Sequence, residues 1–75
     1  RIEQYRRSIE IEKEVLRLQE EISAAAATKL ANGTMTASDY ITELNKESMS
    51  RIRLVSNRVQ LMQAMASYLV IQGNL

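Results

Sequence analysis

The side chains best suited to acid–base chemistry are glutamates in the first third of the chain. Glu10, Glu12 and Glu14 occupy alternate positions, and Glu20 and Glu21 are adjacent. Paired carboxylates act as general acid and base when a nucleophile, a metal or a phosphate-binding loop works beside them. The 75 residues include no His and no Cys, so zinc, haem and His- or Cys-dependent nucleophilic sites lack their usual groups. We therefore expect a non-enzymatic chain without a cofactor or a bound metal.

Methionine thioethers are the other candidate ligands, because they select soft ions such as Cu(I). The chain has four methionines, which are Met35, Met49, Met62 and Met65. Met62 and Met65 fall at helical spacing among apolar residues, where methionine ordinarily fills a core. The pattern therefore favours packing over metal binding.

Asp39 has two interpretations. It lies three residues after Thr36, so its carboxylate can reach back to cap a helix and meet the positive end of the helix dipole, an effect of about 0.3–1 kcal/mol. Alternatively, it lies near the tip of a helical hairpin, where symmetry copies could ring a pore and attract cations. The residues alone favour the capping role and leave the pore role open.

Net charge and the length of the uncharged stretch exclude further classes of protein. Ten Lys and Arg against nine Asp and Glu give a net charge of +1, without the basic excess of a nucleic-acid-binding protein. The longest uncharged stretch, residues 59–75, is short and interrupted by glutamines, so we expect no membrane span here. The chain begins at Arg1 without an initiator Met, which suggests a piece of a longer protein whose targeting segment lies elsewhere.

The elements that position these residues are two long helices separated by a single break. Helix-forming residues dominate and Pro is absent, but Asn32-Gly33 is a strong stop signal in which Gly33 can take the left-handed position after the helix. Thr36, or alternatively Thr34, can cap the next helix. We predict an all-α, antiparallel two-helix coiled-coil hairpin with helices at about 2–31 and 37–72 and a turn at 32–36.

Apolar spacing predicts which faces pack. On the first helix the apolar residues, with a phase slip near Ile9, are Ile2, Tyr5, Ile9, Ile11, Val15, Leu18, Ile22 and Ala25. On the second helix the predicted seam is Ile41, Leu44, Ser48, Ile52, Val55, Val59, Met62, Ala66 and Leu69. Its eleven-residue step from Ile41 to Ile52 favours nearly straight helices. A second stripe follows Leu54, Leu61, Met65 and Tyr68, so two helices cannot cover all the apolar surface and further helices are expected.

Residues 30–44 resemble the TolC family of outer-membrane efflux channels. The resemblance rests on a helix ending at a Gly-containing turn, then Thr or Ser, an acidic residue and the start of a second helix. Gln63-Ala64, Tyr68-Leu69 and Gly73-Asn74-Leu75 are similar to that family's closing pattern. The resemblance implies a homotrimer in a Gram-negative outer membrane, in which this segment forms part of a larger periplasmic α-helical tunnel.

The same resemblance assigns roles to the turn. Asn32, Gly33 and Thr34 would contact a periplasmic adaptor protein, which connects the channel to an inner-membrane pump, and Asp39 would line the aperture. Met35 stands where family members carry a basic residue that helps to lock the aperture, so a salt-bridge lock is not implied. The alternative is a soluble coiled-coil scaffold or interaction module that pairs into a helical bundle.

Overall fold

The computed structural model describes residues 2–73 and contains two α-helices. Helix α1 spans Ile2–Ala31 and helix α2 spans Ala37–Gly73. They lie side by side and antiparallel in a rod with extents of 64, 16 and 12 Å. The predicted all-α hairpin is confirmed. Asn74 and Leu75, the last two residues of the closing pattern, lie outside the described residues.

The turn begins with a Schellman motif at the end of α1. Gly33 has a φ of +75°, and its N–H donates to the Leu30 carbonyl at 3.1 Å. The Thr34 N–H donates to the Lys29 carbonyl at 2.9 Å, and the Thr34 hydroxyl donates to the same oxygen at 3.1 Å. These bonds satisfy carbonyls that the end of a helix leaves unpaired. Gly33 therefore takes the predicted position, and Thr34 caps α1 rather than α2.

Helix α2 begins with an N-cap. The Thr36 hydroxyl accepts a hydrogen bond from the Asp39 N–H at 3.1 Å, which satisfies one of the free donors of the first turn. This confirms Thr36 as the cap. The 32–36 connection is short, so α2 must return directly along α1.

The two helices meet along regular heptad seams. On α1 the residues turned toward α2 are Ile2, Tyr5, Ile9, Glu12, Leu16, Gln19, Ser23, Ala26 and Leu30. On α2 the residues turned toward α1 are Tyr40, Glu43, Glu47, Ser50, Leu54, Asn57, Leu61 and Ala64. Both sets step by three and four residues without a slip, as in a coiled coil. We call these two sets the inner seam.

The predicted seams were therefore wrong beyond Ile9. On α1 the interface continues through Glu12 and Leu16 without a phase slip, so Val15 lies outside it. On α2 the predicted seam faces away from α1: Ile52 is 60% exposed, whereas Leu54, from the second stripe, is only 6% exposed. The inner seam has no eleven-residue step, so that argument for straight helices does not apply to it.

Several polar side chains of the inner seam are hydrogen-bonded. Ser23 and Ser50 are both buried, and Ser50 is only 2% exposed. With Ala26 they let the two backbones approach closely. The Ser50 hydroxyl accepts a hydrogen bond from Arg53 Nη2 at 3.0 Å, and Ser23 and Gln19 donate to α2. Buried polar groups cost little free energy when they are hydrogen-bonded, so this face can be enclosed.

Neither helix, within residues 2–73, has the combined length and apolarity that crossing a bilayer requires.

Candidate functional site

The tip of the rod is formed by the connection between the helices. Asn32, Gly33 and Thr34 are all exposed there. A Cβ built on Gly33 would have no heavy atom within 4 Å, so open space surrounds this part of the turn. The structure thus presents the three predicted adaptor-contact residues together on one accessible surface, and their contact with an adaptor remains a prediction.

Asp39 lies in the first turn of α2 and is exposed. Its backbone N–H is used by the Thr36 cap at 3.1 Å. Within residues 2–73 its carboxylate has neither a hydrogen bond nor an ion pair, so the reciprocal half of the predicted capping box is absent. The charge still meets the positive end of the helix dipole, and both carboxylate oxygens are free to bind an external cation.

A side cleft of about 270 Å³ lies directly beneath the tip. Met35 folds back from the turn and lines this cleft with Ile22, Ala25 and Lys29 of α1 and Glu43 of α2. Met35 is half-buried, which makes it an apolar anchor for the turn. Met35 therefore serves the packing of the turn against the two helices.

Each helix carries a second heptad stripe that faces outward. On α1 the outward stripe is Ile11, Val15, Leu18, Ile22 and Ala25, all of them exposed. On α2 the outward stripe is Ile41, Ile52, Val55, Val59, Met62, Ala66 and Leu69, also all exposed. Both outward stripes are more apolar than the inner seam. Met62 is 68% exposed, so the predicted core role of this residue is wrong for the hairpin.

The two outward stripes lie on opposite faces of the rod. The α1 stripe precedes inner-seam positions by one residue, a rotation of about 100°. On α2, Ile41, Val55 and Met62 follow the seam by one residue and the alternate positions Ile52, Val59 and Ala66 follow it by two, so this stripe turns the other way, toward the back of α2. Since the helices are antiparallel, residues that follow the seam share one face, as the Glu20–Arg51 ion pair shows. Residues that precede it share the other face, as the groove lined by Val15 and Met49 shows. The rod therefore presents apolar surface in two opposite directions.

In the described part of the chain, two ion pairs join the helices around the middle of the rod. Arg51 Nη2 lies 3.5 Å from Glu20 Oε2 on α1 and 3.0 Å from Glu47 Oε2 on its own helix. Arg53 Nε lies 3.5 Å from Glu12 Oε2, an oxygen that is buried without a hydrogen-bond partner in residues 2–73. Such half-exposed pairs each contribute about 0–1 kcal/mol, and their main effect is on alignment.

Seam carboxylates on α2 have perturbed acidities. Hydrogen bonds from Gln19 and Lys46 lower the pKa of Glu43 from its usual value. A hydrogen bond from Arg51 lowers the pKa of Glu47. On the outer face of α1, hydrogen bonding to Arg17 lowers the pKa of Glu14 in the same way. All three shifts favour the ionised form, so these carboxylates are poor proton donors near neutral pH.

Apolar spacing alone does not identify the polar residues of the inner seam. The signal that the sequence does contain is the unbroken heptad spacing of Ile9, Glu12, Leu16 and Gln19, two of which are polar. Among residues 2–73 there is no cluster of three acidic side chains that could hold a metal ion. The glutamates of α1 instead form local ion pairs such as Glu14–Arg17 at 2.6 Å.

No family model, curated protein or solved structure matches the chain.

Proposed function

We propose that this hairpin is a non-enzymatic wall segment of a TolC-like outer-membrane efflux channel. The observation that carries the proposal is the pair of outward apolar stripes on opposite faces. Exposed apolar surface of this extent normally marks an interface. A helix pair within a cylindrical wall has neighbours on both sides, and each neighbour would cover one stripe. A four-helix bundle of two hairpins would cover only one of them.

The tip fits the adaptor-facing role. Asn32, Gly33 and Thr34 project at the end of the rod, away from both outward stripes. The Thr34 hydroxyl and N–H both donate hydrogen bonds to the Lys29 carbonyl at the end of α1, and these bonds make the shape of the tip rigid. A periplasmic adaptor would therefore recognise backbone shape and small side chains there. The choice of the TolC family for this proposal rests on the sequence resemblance of residues 30–44.

Asp39 fits a cation-attracting aperture. Its carboxylate is exposed near the tip, and three symmetry copies in a homotrimer would bring three such charges around one axis. Rings of acidic side chains select cations by raising their local concentration. Thr42, one turn further along α2, supplies no second charge, so Asp39 would be the acidic residue of this ring.

Planar-bilayer conductance of the full-length protein that contains this segment tests the proposal. We expect a trimeric pore whose block by multivalent cations weakens when Asp39 is changed to Asn. Glu3→Gln is the matched control, because Glu3 is an exposed acid in the first turn of the other helix, far from the tip. A full-length protein that forms neither trimers nor pores would refute the channel. Unchanged block in the Asp39→Asn channel would refute only the aperture role.

The second candidate is a soluble coiled-coil scaffold that pairs into a helical bundle. It is favoured by one observation, the uninterrupted apolar heptads of the α2 stripe from Ile52 to Leu69. The flanking coding sequence separates the two candidates. A signal peptide and a second copy of the hairpin beside strand-rich segments would support the channel, and their absence would support the scaffold.

A further inference from the structure

The longest apolar surface of the rod is the lower part of the α2 outward stripe. Its six positions step by three, four, three, four and three residues, and they are Ile52, Val55, Val59, Met62, Ala66 and Leu69. We call these six residues the α2 docking seam. They occupy alternating first and fourth heptad positions, the pattern by which one helix inserts its side chains between those of another. None of them belongs to the inner seam, and Leu69 borders a groove that is also lined by Ile2 and Arg6 of α1.

We propose that a second copy of this chain docks on the α2 docking seam in an antiparallel, two-fold arrangement. This inference goes beyond the channel proposal, because it concerns how the hairpin pairs with itself when no wall neighbour covers the seam. A two-fold interface requires a surface that is complementary to itself. The order of the six side chains, the exposed area and the charge distribution together meet that requirement.

The order of side chains makes the seam self-complementary. With the two-fold axis between Val59 and Met62, Val59 of one copy faces Met62 of the other. In the same register Ile52 faces Leu69, and Val55 faces Ala66. All six positions are then covered, and the smallest residue meets a medium-sized one rather than another copy of itself. A parallel pair would instead set Ala66 against Ala66 and leave a gap in the packing, which is unfavourable.

The exposed area allows a specific pair. Val59 is 45% exposed, Leu69 is 64% exposed and Met62 is 68% exposed, so about half or more of each of these residues is in contact with solvent. The five large side chains, with Met65 beside them, expose roughly 650 Å² per copy, so a pair can bury at most about 1,300 Å² in total, which reaches the lower part of the range of specific protein–protein interfaces. Burial of apolar surface of this kind drives association.

Electrostatics do not oppose the pairing. From Val59 to Gly73 the described part of α2 has no charged side chain. Arg58, next to Val59, flanks the seam, and in the antiparallel register it lies opposite the uncharged Gln63 of the other copy. Arg51, which borders the seam, already pairs with Glu47 and Glu20 of its own hairpin. Antiparallel alignment also opposes the two α2 dipoles, and it carries the two tips, each with an Asp39, to opposite ends of the pair.

The arrangement has a measurable length. One rod is 64 Å long. The two-fold axis lies about 26 residues from Thr34 at the tip, or about 39 Å at 1.5 Å per residue, so the pair, including the turn at each end, would span about 80–85 Å. A parallel side-by-side pair would keep a length near that of one rod. Small-angle X-ray scattering of the 75-residue chain distinguishes these two lengths, and sedimentation equilibrium gives the stoichiometry.

The variants that test the proposal each introduce one glutamate, either in the docking seam or on the opposite face of the rod. Val59→Glu and Met62→Glu lie in the docking seam, and we expect each to weaken self-association at least tenfold. Val15→Glu is the matched control on the α1 outward stripe, where the same change should leave self-association intact. Circular dichroism of each variant checks that the helices persist, which is expected because all three sites are exposed.

The outcomes separate the possible occupants of the seam. A dimer about 80–85 Å long that Val59→Glu weakens and Val15→Glu spares supports the proposal. A chain that stays monomeric at millimolar concentration overturns it, and so does a dimer no longer than one rod. Equal weakening by Val15→Glu and Val59→Glu would also overturn it, since that result means that α1 of one copy packs on α2 of the next. None of these results bears on conductance of the full-length protein.

Discussion

Gln19 on α1 donates two hydrogen bonds from the same Nε2 atom to Glu43 on α2. One reaches the Glu43 backbone carbonyl at 3.2 Å, and the other reaches its carboxylate Oε2 at 3.1 Å. The Ser23 hydroxyl donates to the same carbonyl at 3.4 Å. Rotation of either helix by one residue would break all three bonds. Directional polar contacts therefore set which faces of the two helices meet, and the more apolar faces stay outside.

Loss of the Gln19 amide should destabilise the hairpin. We expect Gln19→Ala to lower the free energy of unfolding by about 1–2 kcal/mol, because the change removes two hydrogen bonds to a partly buried partner. Gln4→Ala is the control, since Gln4 is an exposed glutamine of the same helix. Urea denaturation followed by circular dichroism measures both. An equal effect of the two substitutions would argue against the Gln19 contact.

The inner and outward faces of α2 should respond differently to truncation. Leu54→Ala removes a buried side chain and should cost about 2–3 kcal/mol. Ile52→Ala, two residues earlier on the outward stripe, should cost less than about 1 kcal/mol in a dilute, monomeric sample, because its side chain is exposed in the hairpin. Thermal denaturation at low concentration gives both values. A reversed order would mean that the outward stripe is the true interface.

Replacing Gly33 by a residue with a side chain should lower the stability of the hairpin, because of the backbone conformation at this position. Gly33→Ala places a Cβ at a φ of +75°, which costs about 1–2 kcal/mol for an ordinary L-residue. Open space surrounds the position, so the whole cost is conformational and no clash contributes. Gly73→Ala provides the comparison, since it adds a methyl group in equally open space at the end of a helix and should be neutral or slightly stabilising. Calorimetry of the two variants tests the difference.

Acid should destabilise the hairpin through Glu43 and Glu47. Both carboxylates have a folded-state pKa below the ordinary value of 4.5, so the unfolded chain binds more protons as the pH falls. Their contribution is fully present above about pH 4.5 and is lost as the pH falls through the lowered values. We expect the melting temperature to drop in this window. The double variant Glu43→Gln, Glu47→Gln should show a flatter profile, and an unchanged profile would contradict the assignment.

The turn and the caps were predictable because they depend on local chemistry. Gly33 is required where the chain takes a positive φ, and Thr36 can satisfy a free N–H of the next helix whatever the neighbours are. The fold class followed, since a short connection between two long helices brings them side by side. Such signals lie within a few residues of one another and do not depend on what else packs against the hairpin.

The interface was not predictable by the same reasoning. Assigning the most apolar stripe to the nearest partner assumes that the second helix is the main neighbour. Here Val59 and Ile52 face away from α1, while Gln19 faces α2 and Ser50 faces α1. The polar side is enclosed because groups on the two helices bond to each other, a relation between residues 20 to 24 positions apart in Gln19–Glu43 and Ser23–Glu43. The role of Asp39 is not predictable from this chain for a similar reason. Whether its free carboxylate lines a pore depends on the positions of other chains.

The uneven distribution of charge along α2 gives two kinds of contact different sensitivities to ionic strength. Near the middle of the rod the helices are joined by Arg51 to Glu20 and Arg53 to Glu12, contacts that added salt screens. The described part of α2 after Arg58 has no charged side chain, and exposed apolar residues such as Met62 and Leu69 lie along it. Concentrated kosmotropic salt would therefore weaken the ion pairs between the helices while strengthening apolar contacts along the last part of α2, so one bulk variable would shift the two in opposite directions.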